Sequence, residues 1–385
     1  MATTECQGSE LAGAPVYPTG AFLRRGLSIA ARTLLPAAAV GYAALTLSTV
    51  IPQLQMPWVT ASLVEANWLD GSGADLFDQT FANMDPRRFM AREIAGVLRM
   101  NAFGELRPGA FAGEGGWLFN SDDIALPADA RPLLDKAVAW VDRAREQLEA
   151  HGAELIVVLV PFKSEMESEH HGSAELAASG RRVREEFASR LEALDLPVID
   201  PFDAWIEAKA EGEVTFRTDQ HWTPWGAQVA AREIAAFAGK GQSGTIELRP
   251  LDTRAFQGDL SGGVGTPWAT DHTPLTTEVV RPVGAYDADG NLLRPDWRDT
   301  DTVLVGTSAS ANEWWSFADH LSYELQVPVA NMAISALGPF YPMRQALDDF
   351  AETGKYPERV IWEITLPSIF NPKHLAAEGE HRRPW

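Results

Sequence analysis

Val303-Leu304-Val305-Gly306-Thr307-Ser308-Ala309-Ser310 reads as a short apolar strand, a tight turn and the start of a helix, with a serine at the turn. An apolar run without polar alternation suits the interior of a parallel sheet covered on both faces. Gly306 lets the backbone bend sharply. Ligands of open α/β sheets bind outside the carboxyl ends of the strands, so Ser308 lies where a substrate arrives. Backbone N–H groups at the start of the following helix face the same way and can hold a developing oxyanion.

Other segments repeat this pattern. Leu155–Val160 is a continuous valine-rich run, and Val198–Asp200, Pro328–Met332 and Val360–Ile364 are further candidate strands. Between them, Leu134, Val138, Val141 and Leu148 recur at near-helical spacing, behind Pro132 and ahead of Gly152. Helical patterns also cover about 177–194 and 342–353. One starts at Thr223-Pro224, with threonine as N-cap and proline at the first helical position. Another runs from the serine turn to about Gln326. Strands alternating with helices predict a mostly parallel sheet in a three-layer α/β/α arrangement. Residues 240–300 break the rhythm and read as an insertion near the site, with a hairpin turn at Asp287–Gly290.

Arg24, Arg25 and Arg32 precede an uncharged run over residues 33–54, long enough to cross a bilayer. The next basic residue is Arg87, so the positive-inside rule places residues 1–32 in the cytoplasm and the chain beyond about 57 outside. A signal anchor is the expected reading; a cleaved signal peptide and a buried helix are the alternatives. A net charge of −21 argues against nucleic acid, whose binders need Lys and Arg to neutralise phosphates. Cys6 is the single cysteine, which rules out an intramolecular disulfide and a cysteine metal cluster.

A serine hydroxyl is a weak nucleophile until a base takes its proton. The segment Phe216-Arg217-Thr218-Asp219-Gln220-His221-Trp222-Thr223-Pro224 offers His221 as that base and Asp219 as the acid that orients it. Neither Asp-x-His nor Gly-Thr-Ser is specific alone. Zinc bound by Asp219, His221, His170 and His171 is the rival reading, although adjacent histidines seldom face one centre. His272 and His320 read as surface or core residues, and Trp314-Trp315 as packing for the helix after the serine.

These pieces resemble the alginate O-acetyltransferase family of the AlgJ/AlgX type, which has SGNH-hydrolase-like domains. The matching segments are Gly116–Phe119, Val160–Lys163, Thr218–Pro224, Gly258–Leu260, Gly306–Ser310 and Val360–Glu363, in the family's order. Asp-x-His precedes the serine, as it does in that family. The resemblance implies Ser308 as nucleophile, His221 as base and Asp219 as orienting acid. It implies a periplasmic enzyme, anchored in the inner membrane, that O-acetylates an exopolysaccharide. The implied acetyl donor is a multi-pass membrane acyltransferase, and no cofactor or metal is implied. The backbone of Ser308 and of Ala333 are the oxyanion candidates, and Lys163, Trp222 and Tyr341 are candidate substrate contacts. Ala309 stands where many members have tyrosine. An acetylesterase with the same triad and a non-catalytic glycan-binding or assembly subunit are the alternatives.

Overall fold

The computed structural model describes residues 86–103, 110–121, 130–239, 245–261 and 271–371, together with residues 126, 268 and 374. The cytoplasmic segment and anchor expected over residues 1–54 lie outside the described residues. Among those described, no helix is long and apolar enough to cross a membrane. The chain divides after Ala91. Of the first unit only Pro86–Ala91 is described, as the beginning of a helix that runs to Phe103. The account below concerns the second unit.

The strands are, in chain order, β1 (Ala110–Ala112), β2 (Leu118–Asn120), β3 (Glu154–Val160), β4 (Val198–Ile199), β5 (Glu247–Pro250), β6 (Arg254–Phe256), β7 (Glu278–Val280), β8 (Val283–Tyr286), β9 (Thr302–Val305), β10 (Val329–Asn331) and β11 (Arg359–Thr365). Five of them form the main sheet in the order β10-β9-β11-β3-β4, with every neighbouring pair parallel. This is the mostly parallel α/β sheet expected from the strand–helix alternation.

The apolar runs are continuous because both faces of the sheet are covered. Along β3, Leu155, Val157 and Leu159 point into one core, and Ile156 and Val158 into the other. β11 divides likewise: Val360, Trp362 and Ile364 on one side, Ile361 on the other. Helices Arg131–Glu149, Ala174–Glu192 and Phe340–Thr353 cover the first face. Helices Phe202–Ala208, Pro224–Ala238 and Phe317–Leu325 cover the second. In Arg131–Glu149 the buried residues are Leu134, Ala137, Val141, Ala144 and Leu148, one apolar stripe at helical spacing.

The helix expected from the serine turn to Gln326 is broken. It forms as Ser308–Ala311 and Phe317–Leu325, with a 3₁₀ turn over Glu313–Trp315 between them. Ser316 adopts a left-handed conformation (φ 59°) and its hydroxyl accepts the Val283 N–H, so the chain bends there onto β8. Within 245–300 the strands pair antiparallel as β5 with β8 and β6 with β7. Asp287–Gly290 forms the expected turn, closed by an Asp287 N–H bond to the Asn291 carbonyl and by Gly290 at φ 82°.

From β3 the chain moves to β4 on one side of the sheet; from β9 it moves to β10 on the other. The carboxyl ends of β9, β11 and β3 thus border a crevice of the kind in which α/β proteins place ligands. Phe187 is fully buried in the core on the Arg131–Glu149 face. Phe187→Ala is expected to cost about 3–5 kcal/mol, whereas the exposed Ile206→Ala should stay within about 0.5 kcal/mol. Urea-unfolding midpoints compare the two.

Candidate active site

Ser308 follows β9 at the sheet's carboxyl edge. Gly306 is required there: a Cβ on it would lie 2.6 Å from Glu363 Oε2. Thr307 caps the short helix, its hydroxyl accepting the Ala309 N–H at 3.3 Å. Ser308 is the first helical residue, so its N–H falls outside the helix's own hydrogen-bond ladder. That N–H is a ready donor to charge developing beside the serine oxygen.

The segment carrying Asp219 and His221 has little regular structure of its own. Its base is a narrow antiparallel crossing, with Thr215 bridged to Trp222 and the Phe216 N–H bonded to the His221 carbonyl at 3.1 Å. Thr223 caps the helix that follows, accepting the Gly226 N–H at 3.1 Å. The tip is held from outside. Lys163 Nζ donates to the carbonyls of Leu118 (2.7 Å), Arg217 (2.9 Å) and Asp219 (2.8 Å). Glu278 accepts from the Thr218 N–H at 2.6 Å and from its hydroxyl at 2.9 Å. Gly258 lies so close that a Cβ on it would meet the Thr218 carbonyl oxygen at 2.1 Å. This lets the Asp259 N–H reach Asp219 Oδ2 at 3.0 Å.

The three candidate residues meet in one line. His221 Nδ1 lies 2.6 Å from Asp219 Oδ1, and Nε2 lies 2.8 Å from Ser308 Oγ. Asp219 is 4% exposed, and its Oδ1 also accepts the His221 N–H at 2.9 Å. Burial alone would raise the Asp219 carboxyl, but the hydrogen bond and charge of His221, with the N–H groups of Asp259 and His221, hold it below the ordinary carboxylate range. Burial alone would lower the His221 imidazole; its hydrogen bond to Asp219 and the charges of Asp219, Asp259 and Glu363 raise it instead. The Trp315 ring stacks on the imidazole at 5.6 Å between centroids.

A cavity of about 80 Å³ opens at Ser308, bordered by Asn120, Pro161, Gln220, Thr365 and Ser368. That is well under the ~300–1,000 Å³ of pockets for drug-sized ligands, and it suits a short acyl group. These bordering residues come from four segments far apart in the chain, and their spacing gives no sign of it.

The expected substrate contacts are placed differently. Lys163 borders the cavity, but it is 5% exposed and its ammonium is engaged by the carbonyls above, so it fastens the Asp219 loop. Burial pushes its pKa down to about 8, against the pull of Asp219, Glu167, Glu278 and Asp259. Trp222 also borders the cavity, but it is 2% exposed, and its indole N–H donates to the Ala309 carbonyl at 2.9 Å, joining the histidine segment to the serine helix. Tyr341 lies in the first turn of Phe340–Thr353 and does not border the cavity. Ala333 is no oxyanion donor here, because its N–H is bonded to Asn331 Oδ1 at 3.1 Å. It faces a separate cleft of about 280 Å³ with Asn331, Ser310 and Arg294.

The zinc set expected as a rival is not assembled. His170 stacks on Trp117 at 4.5 Å, and His171 donates through Nε2 to the Ser164 carbonyl at 2.6 Å. Asp219, His221 and Asp259 do bring ligand atoms within 4.8 Å of one another. Yet both Asp219 oxygens already accept hydrogen bonds, and both imidazole nitrogens are engaged.

Residues 110–366 match the family model described as the SGNH hydrolase-like domain of the acetyltransferase AlgX. The chain belongs to this family. Among its relatives, the probable alginate O-acetylase AlgJ of Pseudomonas putida is 30% identical over 316 residues, covering 77% of this chain and 82% of that protein. AlgJ of Pseudomonas aeruginosa is 28% identical over 311 residues, covering 77% and 79%. The solved O-acetyltransferase domain of Pseudomonas putida AlgJ superposes with a TM-score of 0.61 at 27% identity, covering 70% of this chain and 98% of that one. Pseudomonas aeruginosa AlgX shares the fold, with a TM-score of 0.51 at 19% identity over 70% of this chain and 67% of that one.

If His221 serves as the base for Ser308, it must be neutral to take the serine proton. Because the His221 pKa is raised, the acid limb of kcat/KM on a chromogenic acetyl ester should lie above about pH 6.5, the ordinary imidazole value. Asp219→Asn removes the charge that raises it. The limb should then move to lower pH, while the plateau falls by on the order of 10⁴. A pH–rate profile of both proteins is the check. Treatment with a chelator, followed by dialysis, should leave the rate unchanged, since a cation at Asp219 would displace the bonds that orient His221.

Proposed function

We propose that this acetyltransferase moves acetyl groups onto hydroxyls of an exopolysaccharide through an acetyl-Ser308 intermediate. The hydrogen-bonded line Asp219–His221–Ser308, at 2.6 and 2.8 Å, carries this reading. Its relatives' description as probable alginate O-acetylases makes alginate the first polymer to try.

In the first half-reaction Ser308 Oγ attacks the acetyl carbonyl carbon while His221 Nε2 takes the hydroxyl proton. Charge that builds on the carbonyl oxygen is met by the Ser308 N–H. The carbonyl re-forms, the donor's leaving oxygen or sulfur departs, and His221 returns the proton to it. In the second half-reaction a sugar hydroxyl attacks the acetyl-serine while His221 takes its proton. The Ser308–acetyl bond breaks and Ser308 Oγ recovers a proton from His221. Asp219 keeps Nδ1 as the protonated nitrogen, so that Nε2 is the basic one, and its charge stabilises the imidazolium in both steps.

The small cavity at Ser308 favours acetyl over longer acyl groups. The arginines before the uncharged run at residues 33–54 support a periplasmic placement behind an inner-membrane anchor. A multi-pass membrane acyltransferase then supplies the acetyl group from the cytoplasmic side.

Incubation with an acetyl ester and oligosaccharides, followed by mass spectrometry, tests this directly. One acetyl group should appear on Ser308 and then on the sugar. Ser308→Ala should abolish both signals. Transfer that survives in Ser308→Ala would sink the mechanism, and acetyl release to water with no sugar accepted would make the protein an esterase.

A further inference from the structure

β11 carries an acid where its neighbours are all apolar. Val360, Ile361, Trp362, Glu363 and Ile364 are each 0% exposed. A carboxyl group at such a depth is costly unless it is hydrogen-bonded. Among the described residues, the side-chain partners of Glu363 all belong to the serine turn. Oε2 accepts the Thr307 N–H at 2.7 Å, the Thr307 hydroxyl at 2.9 Å and the Ser310 hydroxyl at 3.1 Å.

The register explains why this residue reaches the turn. The β9–β11 pairing ends with Val305 opposite Trp362, so Glu363 is the next residue along and lies beside Gly306. A side chain at position 306 would enter the space of the carboxyl group, 2.6 Å from Oε2 and 2.9 Å from the Glu363 Cβ. Thr307 passes the constraint on, since its hydroxyl also accepts the Ala309 N–H. Glu363 therefore grips the residue before Ser308 and the residue two beyond it; it does not line the cavity, and it reaches His221 through its charge.

We propose that Glu363 is a positioning residue for the nucleophile: by holding Thr307 and Ser310 it aims the Ser308 hydroxyl at His221 and the Ser308 N–H at the acyl oxygen. The inference rests on the reading of Ser308 as nucleophile. Released from Glu363, the turn keeps its serine but loses the geometry. Misplacement by about 1 Å is enough to cost about 10²-fold in rate.

The test uses the full chain and a chromogenic acetyl ester. The rate is expressed per serine that becomes acetylated, counted by intact mass, so that misfolded protein does not enter kcat. Glu363→Ala should lower kcat about 10²-fold while KM changes little. Glu363→Gln keeps the shape and an acceptor for the Thr307 N–H, and should recover most of that loss. Ser310→Ala removes one tether on the far side of Ser308 and should lower kcat by less than Glu363→Ala does. If Glu363→Ala does not fold, the ordering wild type, Glu363→Gln, Ser310→Ala still decides. Wild-type kcat per acetylated serine in Ser310→Ala and in every folded Glu363 variant would overturn the proposal. So would a loss confined to protein yield and unfolding midpoint. Ser308→Ala separates the two readings: if it is inactive while the Glu363 variants are normal, only the positioning role fails. Full activity in Ser308→Ala would remove the nucleophile itself.

Discussion

The 2.8 Å hydrogen bond between His221 Nε2 and Ser308 Oγ joins residues 87 apart in sequence and on different kinds of structure. The serine is held by the sheet. β9 is an interior strand, paired on both sides, and its residues 303–305 are fully buried. The histidine lies on a segment that no strand of the main sheet contains. For the bond to persist, an irregular loop has to be as fixed as a central strand. Much of the polar chemistry in this half of the molecule serves that requirement.

The loop is fixed by charged groups placed where water does not reach. Lys163, Glu278 and Asp219 are each less than a tenth exposed. Desolvating such groups is expensive, and buried ion pairs are weak contributors to net stability. Their directional bonds are the compensating property. An ammonium offers hydrogens to three backbone carbonyls at once, which apolar packing cannot do. Lys163 uses them to join β2 to both sides of Thr218, while Glu278 takes the N–H and hydroxyl of Thr218 itself. Glu363 does the same for the serine turn from inside the sheet. The molecule accepts a cost in burial and obtains a loop geometry that hydrophobic contact alone leaves loose.

The same division explains what could be read from the chain in advance. Leu155–Val160, Val303–Val305 and Val360–Ile364 were legible as strands because a strand covered on both faces has to be mostly apolar, a local property. Asp-x-His and Gly-Thr-Ser are each weak alone; as a pair they stood out because few residue types can activate a hydroxyl, and Asp219, His221 and Ser308 do lie within hydrogen-bonding distance. The long-range polar bonds were not. Lys163 follows a strand at the sheet's carboxyl edge, where a lysine suggests a substrate contact, and nothing local reveals three carbonyls waiting for it. Ala333 follows a strand in the same way, but Asn331 turns back onto its N–H. Glu363 did leave a mark: one acid in a run of five buried residues implies fixed partners, and Gly306 implies a neighbour that tolerates no side chain. The break at Ser316 left none, since a serine in a left-handed conformation is decided by the β8 N–H it meets.

Burial also bears on which acceptor the proposed acetyl-serine meets. Transfer to a sugar requires that water not reach the ester first, and water needs only a small opening. An acetyl group on Ser308 would take up part of the cavity of about 80 Å³ there. The lining also carries two polar pairs, Asn120 and Gln220, with the Asn120 amide 3.3 Å from the Gln220 carbonyl oxygen, and Thr365 and Ser368, their hydroxyls 3.1 Å apart. Groups of this kind match sugar hydroxyls as donors and as acceptors. A sugar lying across them would cover the ester with the molecule that is to attack it. The acceptor would then exclude its own competitor.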